Sequence, residues 1–444
     1  MTHPGFALAE RAHTRGMAPI TRLDGSIATG RLAPPLPIQA SDIQGLAQLA
    51  VDAVVGITGI VEAMHHTIVS APAVFGTPPA GRTSGITGLV YGAVRGSTRL
   101  VGTVVDRALK TAARHTSAAN TSAARDAVIA ALNGVWGDHL ADTGNPLAIP
   151  MSLRVAGRPL YLARRSLLQS IPHARSKLLV LVHGLCMNDR QWTRNGHDHG
   201  AALAHDLGYT PLYLHYNSGR HVSHNGRELA ALLERLLAEW PVPIDELVLV
   251  GHSMGGLVIR SACHAAEGAR HGWLGSLTRL VFLGTPHHGA TLERGGRYVD
   301  ALFGASPYSA PFARIGKARS AGITDLRFGN VQDADWTGRD RHRQKHDERH
   351  PTPLPPGVCA YVVAGCVAKR TDGVRARLLG DGLVPVSSAL GDHADPARDL
   401  GLAKSHRRIV ASANHWDLLD RADVYRALRG WVGRVPGSAH RPQT

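Results

Sequence analysis

From residue 177 onward, short apolar runs alternate with amphipathic stretches, and this alternation limits the fold more than any other property of the chain. KLLVLVHG (177–184), PLYLHY (211–216), ELVLVGH (246–252), RLVFLG (279–284), CAYVVAG (359–365) and RRIVAS (407–412) are too short for helices and nearly continuous in apolar residues. That is the pattern of strands buried on both faces of a parallel sheet. Between and after them, HGAALAHDLG, NGRELAALLERLLAEW, GGLVIRSACHAAEGAR and RADVYRALRGWVGR place apolar residues three and four apart, as crossover helices must. The expected class is α/β, a mostly parallel sheet flanked by helices.

The alternation is broken at 285–357, a stretch rich in Gly, Pro and charge between two strands. A cap or lid inserted at about 290–357 accounts for its length. Before residue 150 the composition is different: segments within 41–69, 84–115 and 123–140 repeat apolar residues at helical spacing, with many glycines. Helices so poor in large side chains can pack closely on one another, or lie across a membrane surface or a lipid-like substrate. MSLRVAGRPLYL then reads as two short strands joined by a turn at Ala-Gly-Arg. The expected organisation is a helical N-terminal region (1–150), an α/β domain (151–435) and a short tail (436–444).

A chain of 444 residues with 44% hydrophobic content can bury a large core. The N-terminus offers no apolar h-region and no stretch spans a bilayer, so the expected compartment is the cytoplasm. Four cysteines (186, 263, 359, 366) match no disulfide framework or zinc spacing and are expected to be reduced, Cys359 with Cys366 being the one bridge worth weighing. The net charge of +15 is compatible with weak association with an anionic membrane surface. No basic helix with interleaved aromatics accompanies it, aromatic content is 5%, and the densest basic run, 339–350, is interrupted by acids, so no specific nucleic-acid partner is expected.

Chemistry enters at Gly251-His252-Ser253-Met254-Gly255, where an apolar strand meets a helix. A serine on so sharp a turn is strained and exposed at the C-terminal edge of a sheet, and glycines on either side relieve the crowding. A turn capped by the serine is the plain alternative. A nucleophilic Ser253 needs an acid and then a histidine further along the chain. Asp381, between Gly380 and Gly382, and His415, between the last strand and the last helix, meet that order, with Asp372 and Asp392 or His393 and His406 as rivals. An oxyanion site would use the backbone N–H groups of Met254 and of Leu185, which follows His183-Gly184 at the end of the first parallel strand.

VHGLCMND, YNSGRHVSHNGREL, VGHSMGGL, LGTPHHGA, GDGLVPVSSAL and NHWDLL, in this order, resemble the motif series of α/β-hydrolase lipases and esterases over roughly 177–432. The chain is similar to bacterial lipase-like proteins related to the hydrolase domain of GPI inositol-deacylases. The resemblance implies the α/β-hydrolase fold, with Ser253 as nucleophile, His415 as base, Asp381 as acid, and a carboxylic ester, usually lipid-like, as substrate. Asp417 stands where some secreted lipases hold calcium, but companion ligands are missing and helix capping is the expected role; no metal and no cofactor is expected. His183, Gly184, His252, His287, His288 and Tyr216 are expected to face the substrate, and Asn217, Arg220 and His221 to meet a polar head. A thioesterase or an acyltransferase would share the triad; a silent lipid-binding protein would keep the fold alone.

Overall fold

The chain enters its sheet through a hairpin. Helix α1 (Ala123–Asp142) leads to β1 (Ser152–Val155) and β2 (Arg158–Pro159), paired antiparallel. Their connection, Ala156-Gly157, has φ of 50° and 73°, the left-handed pair whose twist suits a two-residue hairpin. A computed structural model describes residues 39, 41–52, 55, 103, 123–290, 320–339, 347–371 and 373–434. Most of the helical segments expected before residue 123, the cap stretches 291–319 and 340–346, Asp372 and the tail lie outside the described residues.

After α2 (Arg164–Ser170), strand and helix alternate: β3 (Lys177–Val182), α3 (His199–Leu207), β4 (Thr210–His215), α4 (Val222–Glu239), β5 (Glu246–His252), α5 (Met254–Ala269) and β6 (Leu277–Leu283). Then come α6 (Ala321–Phe328), β7 (Cys359–Cys366), α7 (Val374–Leu379), α8 (Val386–Leu390), β8 (Arg407–Ala411) and α9 (Ala422–Val432). The eight strands lie in the order β2-β1-β4-β3-β5-β6-β7-β8. All pairings from β4 to β8 are parallel, while β1 joins β4 antiparallel. This is the α/β-hydrolase fold.

The continuous apolar character of the strands follows from burial on both faces. Leu178, Val180 and Val182 of β3 pack in one core with Leu229 and Leu233 of α4 and Leu257 of α5. Leu179 and Leu181 point the other way, into a second core with Leu203 of α3 and Leu428 of α9. Each such leucine contributes about 1.5–3 kcal/mol on burial, so the central strands hold the layers together from both sides. Among the described residues, no helix is long and apolar enough to cross a membrane.

The chain runs from β3 to β4 on one side and then to β5 on the other, so the topology reverses beside β3. In an open α/β sheet the crevice beyond the carboxyl ends at such a reversal is where ligands bind. The loops after β3 and β5 flank it. The described residues all fall in one compact unit. Asn133 of α1 donates to the Leu147 carbonyl at 2.7 Å and accepts from the Ile149 amide at 2.9 Å, tying the helix to the segment that enters β1.

Candidate active site

Strand β5 is buried along its whole length, and at its end Ser253 adopts φ 54°, ψ −126° before α5 begins. For a residue with a Cβ this conformation is strained, on the order of 1–3 kcal/mol. The surroundings enforce it. A Cβ on Gly251 would lie 2.6 Å from the Gly256 nitrogen, and one on Gly255 would overlap the Val182 carbonyl oxygen, so the turn can close only because both are glycine. The capping alternative for Ser253 fails, because its side chain makes no capping hydrogen bond to α5.

The end of β6 touches both halves of the site. The Ser253 amide donates to the Leu283 carbonyl at 2.9 Å. The next residue, Gly284, lies so near the other half that a Cβ on it would come within 3.1 Å of both Asp381 Oδ2 and His415 Cε1. His415 is brought in by the loop after β8 and Asp381 by the turn after α7. His415 donates from Nδ1 to Asp381 Oδ2 at 2.6 Å, and its amide donates to the Asp381 carbonyl at 3.1 Å. Asp381 Oδ1 accepts the amides of Leu383 and Val384 at 3.0 and 2.8 Å. With Nδ1 carrying the proton, His415 keeps its lone pair at Nε2, a buried atom with no hydrogen-bond partner among the described residues.

The loop after β3 presents its backbone to the same place. Gly184 abuts the serine; a Cβ there would sit 2.9 Å from Ser253 Cβ. Tyr216 donates its hydroxyl to the His183 carbonyl at 2.8 Å, and Ser218 Oγ accepts the Cys186 amide at 3.0 Å. Held on both sides, the Leu185 amide has no hydrogen-bond partner among the described residues. Met254 is the first residue of α5, so its amide has no carbonyl of its own helix to meet.

The residues expected to face substrate divide. His183, His252, His287 and Tyr216 are at most 1% exposed, and their side chains pack within the scaffold. His252 donates from Nε2 to the His415 carbonyl at 3.2 Å, and His183 donates from Nδ1 to the Gly184 carbonyl at 2.9 Å. Burial lowers the pKa of His183 to about 3 and holds those of His252 and His287 well below the ordinary histidine value, which favours the neutral ring in all three. His288 is half-buried, accepts at Nδ1 from Arg349 and is lowered by burial to about 4. Asn217 is bound to the Gly137 carbonyl, Arg220 pairs with Glu228, and His221 pairs with Asp325.

The rival residues are used elsewhere: His393 pairs with Asp347, the His406 ring packs on Tyr361, and Asp392 pairs with Arg407. Asp417 Oδ2 accepts the Asn414 amide at 2.9 Å, a local turn contact. Among the described residues no cluster of histidine, cysteine or acid is arranged to hold a metal ion. All four cysteines are free thiols.

Residues 175–302 match the family model of the PGAP1-like alpha/beta domain. The match covers less than a third of the chain. Within it lie Leu185, Ser253 and Met254; Asp381, His415 and α1 lie outside the matched PGAP1-like segment. No curated protein matches the chain. Among solved structures, the mature Bacillus licheniformis lipase BlEst2 is 19% identical with a TM-score of 0.39, the alignment covering 64% of this chain and 98% of that one. Aspergillus fumigatus lipase B is 11% identical with a TM-score of 0.35, covering 62% and 54%. The RedJ thioesterase of Streptomyces coelicolor is 15% identical with a TM-score of 0.33, covering 59% and 91%.

Proposed function

We propose that the protein is a serine hydrolase of carboxylic esters, with a lipid-like ester as substrate class. What supports the reading is the buried His415–Asp381 pair, whose Nε2 has no partner among the described residues, together with a strained serine at the end of β5. His415 takes the hydroxyl proton of Ser253 as the oxygen attacks the ester carbonyl. The Leu185 and Met254 amides donate to the oxyanion, and His415 returns the proton to the leaving alcohol. Water, deprotonated by the same imidazole, then attacks the acyl-enzyme and releases the acid and Ser253.

Asp381 keeps the proton of His415 on Nδ1 and stabilises the imidazolium formed in each half-reaction. The neutral His252 holds the backbone of His415 without adding a competing positive charge. The test is labelling by a fluorophosphonate together with turnover of p-nitrophenyl esters of increasing acyl length, comparing wild type with Ser253→Ala. Ser253-dependent labelling and turnover are expected. Their absence would remove the hydrolase reading, and a profile confined to the shortest acyl chains would remove only its lipid-like part.

A further inference from the structure

α1 precedes the segment matched by the PGAP1-like domain, yet it reaches the candidate oxyanion loop. Its sequence Asn133-Gly134-Val135-Trp136-Gly137 puts two glycines three apart, on one face of a helix. Trp136 departs from helical geometry (φ −129°, ψ 18°), which kinks the helix between the two glycines. Gly134 packs on Cys186: a Cβ there would overlap Cys186 Sγ and come within 3.0 Å of its Cα and nitrogen. Gly137 packs on the loop after β4, and its carbonyl accepts from Asn217 Nδ2 at 2.7 Å. A Cβ on Gly219 would overlap the Asn133 carbonyl.

Three observations connect this packing to the site. Cys186, next to Leu185, has φ 60°, a strained value that a non-glycine residue keeps only when its neighbours impose it. Its amide donates to Ser218 Oγ, so the two loops touched by α1 are also joined to each other. Finally, the Gly134 carbonyl accepts from Ser320 Oγ at 2.7 Å and Asp138 accepts the Ala321 amide at 2.8 Å, which anchors the helix to the start of α6.

We propose that α1 is a positioning element for the Leu185 amide, with Gly134 and Gly137 seating the loops after β3 and β4 against the kinked helix. Gly134 acts through Cys186 and touches no reacting atom. The proposal rests on the ester-hydrolase reading of Leu185 for its kinetic consequence, though not for the seating itself.

The experiment compares Gly134→Ala in the wild-type chain with the same change in a Cys186→Ala background, where the thiol that opposes the new methyl is gone. Ester turnover, thermal midpoint and hydrogen exchange of the 183–189 backbone are measured for all four proteins. Gly134→Ala alone is expected to lower kcat roughly 10–100-fold, as small displacements of a reacting group do. KM should change by less than about threefold, because a mispositioned oxyanion donor acts on the transition state. Exchange at 183–189 should rise. In the Cys186→Ala background both effects should shrink clearly without vanishing, because the overlap with Sγ is relieved while the close approach to the residue 186 backbone remains.

Equal kcat losses in the two backgrounds, or unchanged exchange at 183–189, would overturn the proposal. So would a kcat loss that only follows a fall in thermal midpoint. A wild-type protein without Ser253-dependent turnover would instead defeat the hydrolase reading, and the exchange measurement would still decide whether α1 seats the loop.

Discussion

Asp381 meets His415 through one carboxylate oxygen and the amides of Leu383 and Val384 through the other, so each oxygen has a separate task. Asp381→Asn would leave its carbonyl oxygen on the two amides and turn its NH₂ toward Nδ1, stabilising the tautomer with the proton on Nε2. An imidazole in that form cannot accept the serine proton. The expected outcome is a loss of kcat on the order of 10⁴-fold with the fold retained, measured by ester turnover and by thermal unfolding of the same preparation.

Gly255 and Gly184 flank the same serine but differ in what opposes them. A methyl at 255 meets the Val182 and His183 carbonyls, backbone that cannot swing aside. Gly255→Ala should therefore destabilise the protein by about 1–3 kcal/mol or more, read from the urea midpoint. A methyl at 184 meets the side chains of Ser253 and His252 as well as the His252 carbonyl. Gly184→Ala is expected to depress kcat by at least tenfold, on the order of what a misplaced reacting group loses, while shifting the urea midpoint less than Gly255→Ala does.

Tyr216 was expected at the substrate and is found behind the loop, its ring stacked 4.4 Å from that of His183 and its hydroxyl on the His183 carbonyl. Tyr216→Phe removes that hydrogen bond and nothing else of size. A loss of about 1 kcal/mol in stability is expected. The kcat should fall with KM nearly unchanged; a KM effect alone would return Tyr216 to the substrate surface.

Acid should unfold the protein through its buried histidines. His183 and His199 are lowered by burial to about 3 and about 4, and His252 and His287 lie well below the ordinary value. In the unfolded chain these groups titrate near 6.5. Between pH 6.5 and their folded values the unfolded chain binds protons that the folded chain refuses, so stability falls as pH falls. Each histidine adds a slope of up to about 1.4 kcal/mol per pH unit, while above pH 7 its contribution is constant. Urea midpoints should drop steeply between pH 6 and pH 4.5; a flat profile there would show that the rings are hydrated in the folded protein.

The central architecture was legible because its signals are local. The six expected strands appear within two residues of their reading, and β5 matches over 246–252, since a strand buried on both faces must be continuously apolar. The serine turn could be read from its glycines, and Asp381 from its position between Gly380 and Gly382, whose φ values are 53° and 94°. The histidines were harder. Two buried rings look alike in sequence, and only their partners tell His252, whose Nε2 meets the His415 carbonyl, from His415, whose Nδ1 meets the Asp381 carboxylate. The part played by α1 had no local signal at all. Gly134 and Cys186 are 52 positions apart, and a glycine that merely weakens a helix is spelled like one that admits a loop.

The hairpin that opens the sheet has a consequence for the protein in company. Its outermost strand, β2, is two exposed residues long, and one of them, Pro159, has no N–H to offer. At the opposite rim, β8 carries the exposed Arg408, while Arg407 is paired with Asp392. The β2 rim is a poor template for a further strand, and a charge on β8 opposes pairing there. A protein with so much continuous apolar strand at its centre is thereby shielded from the intermolecular sheet extension that leads to fibrous aggregates.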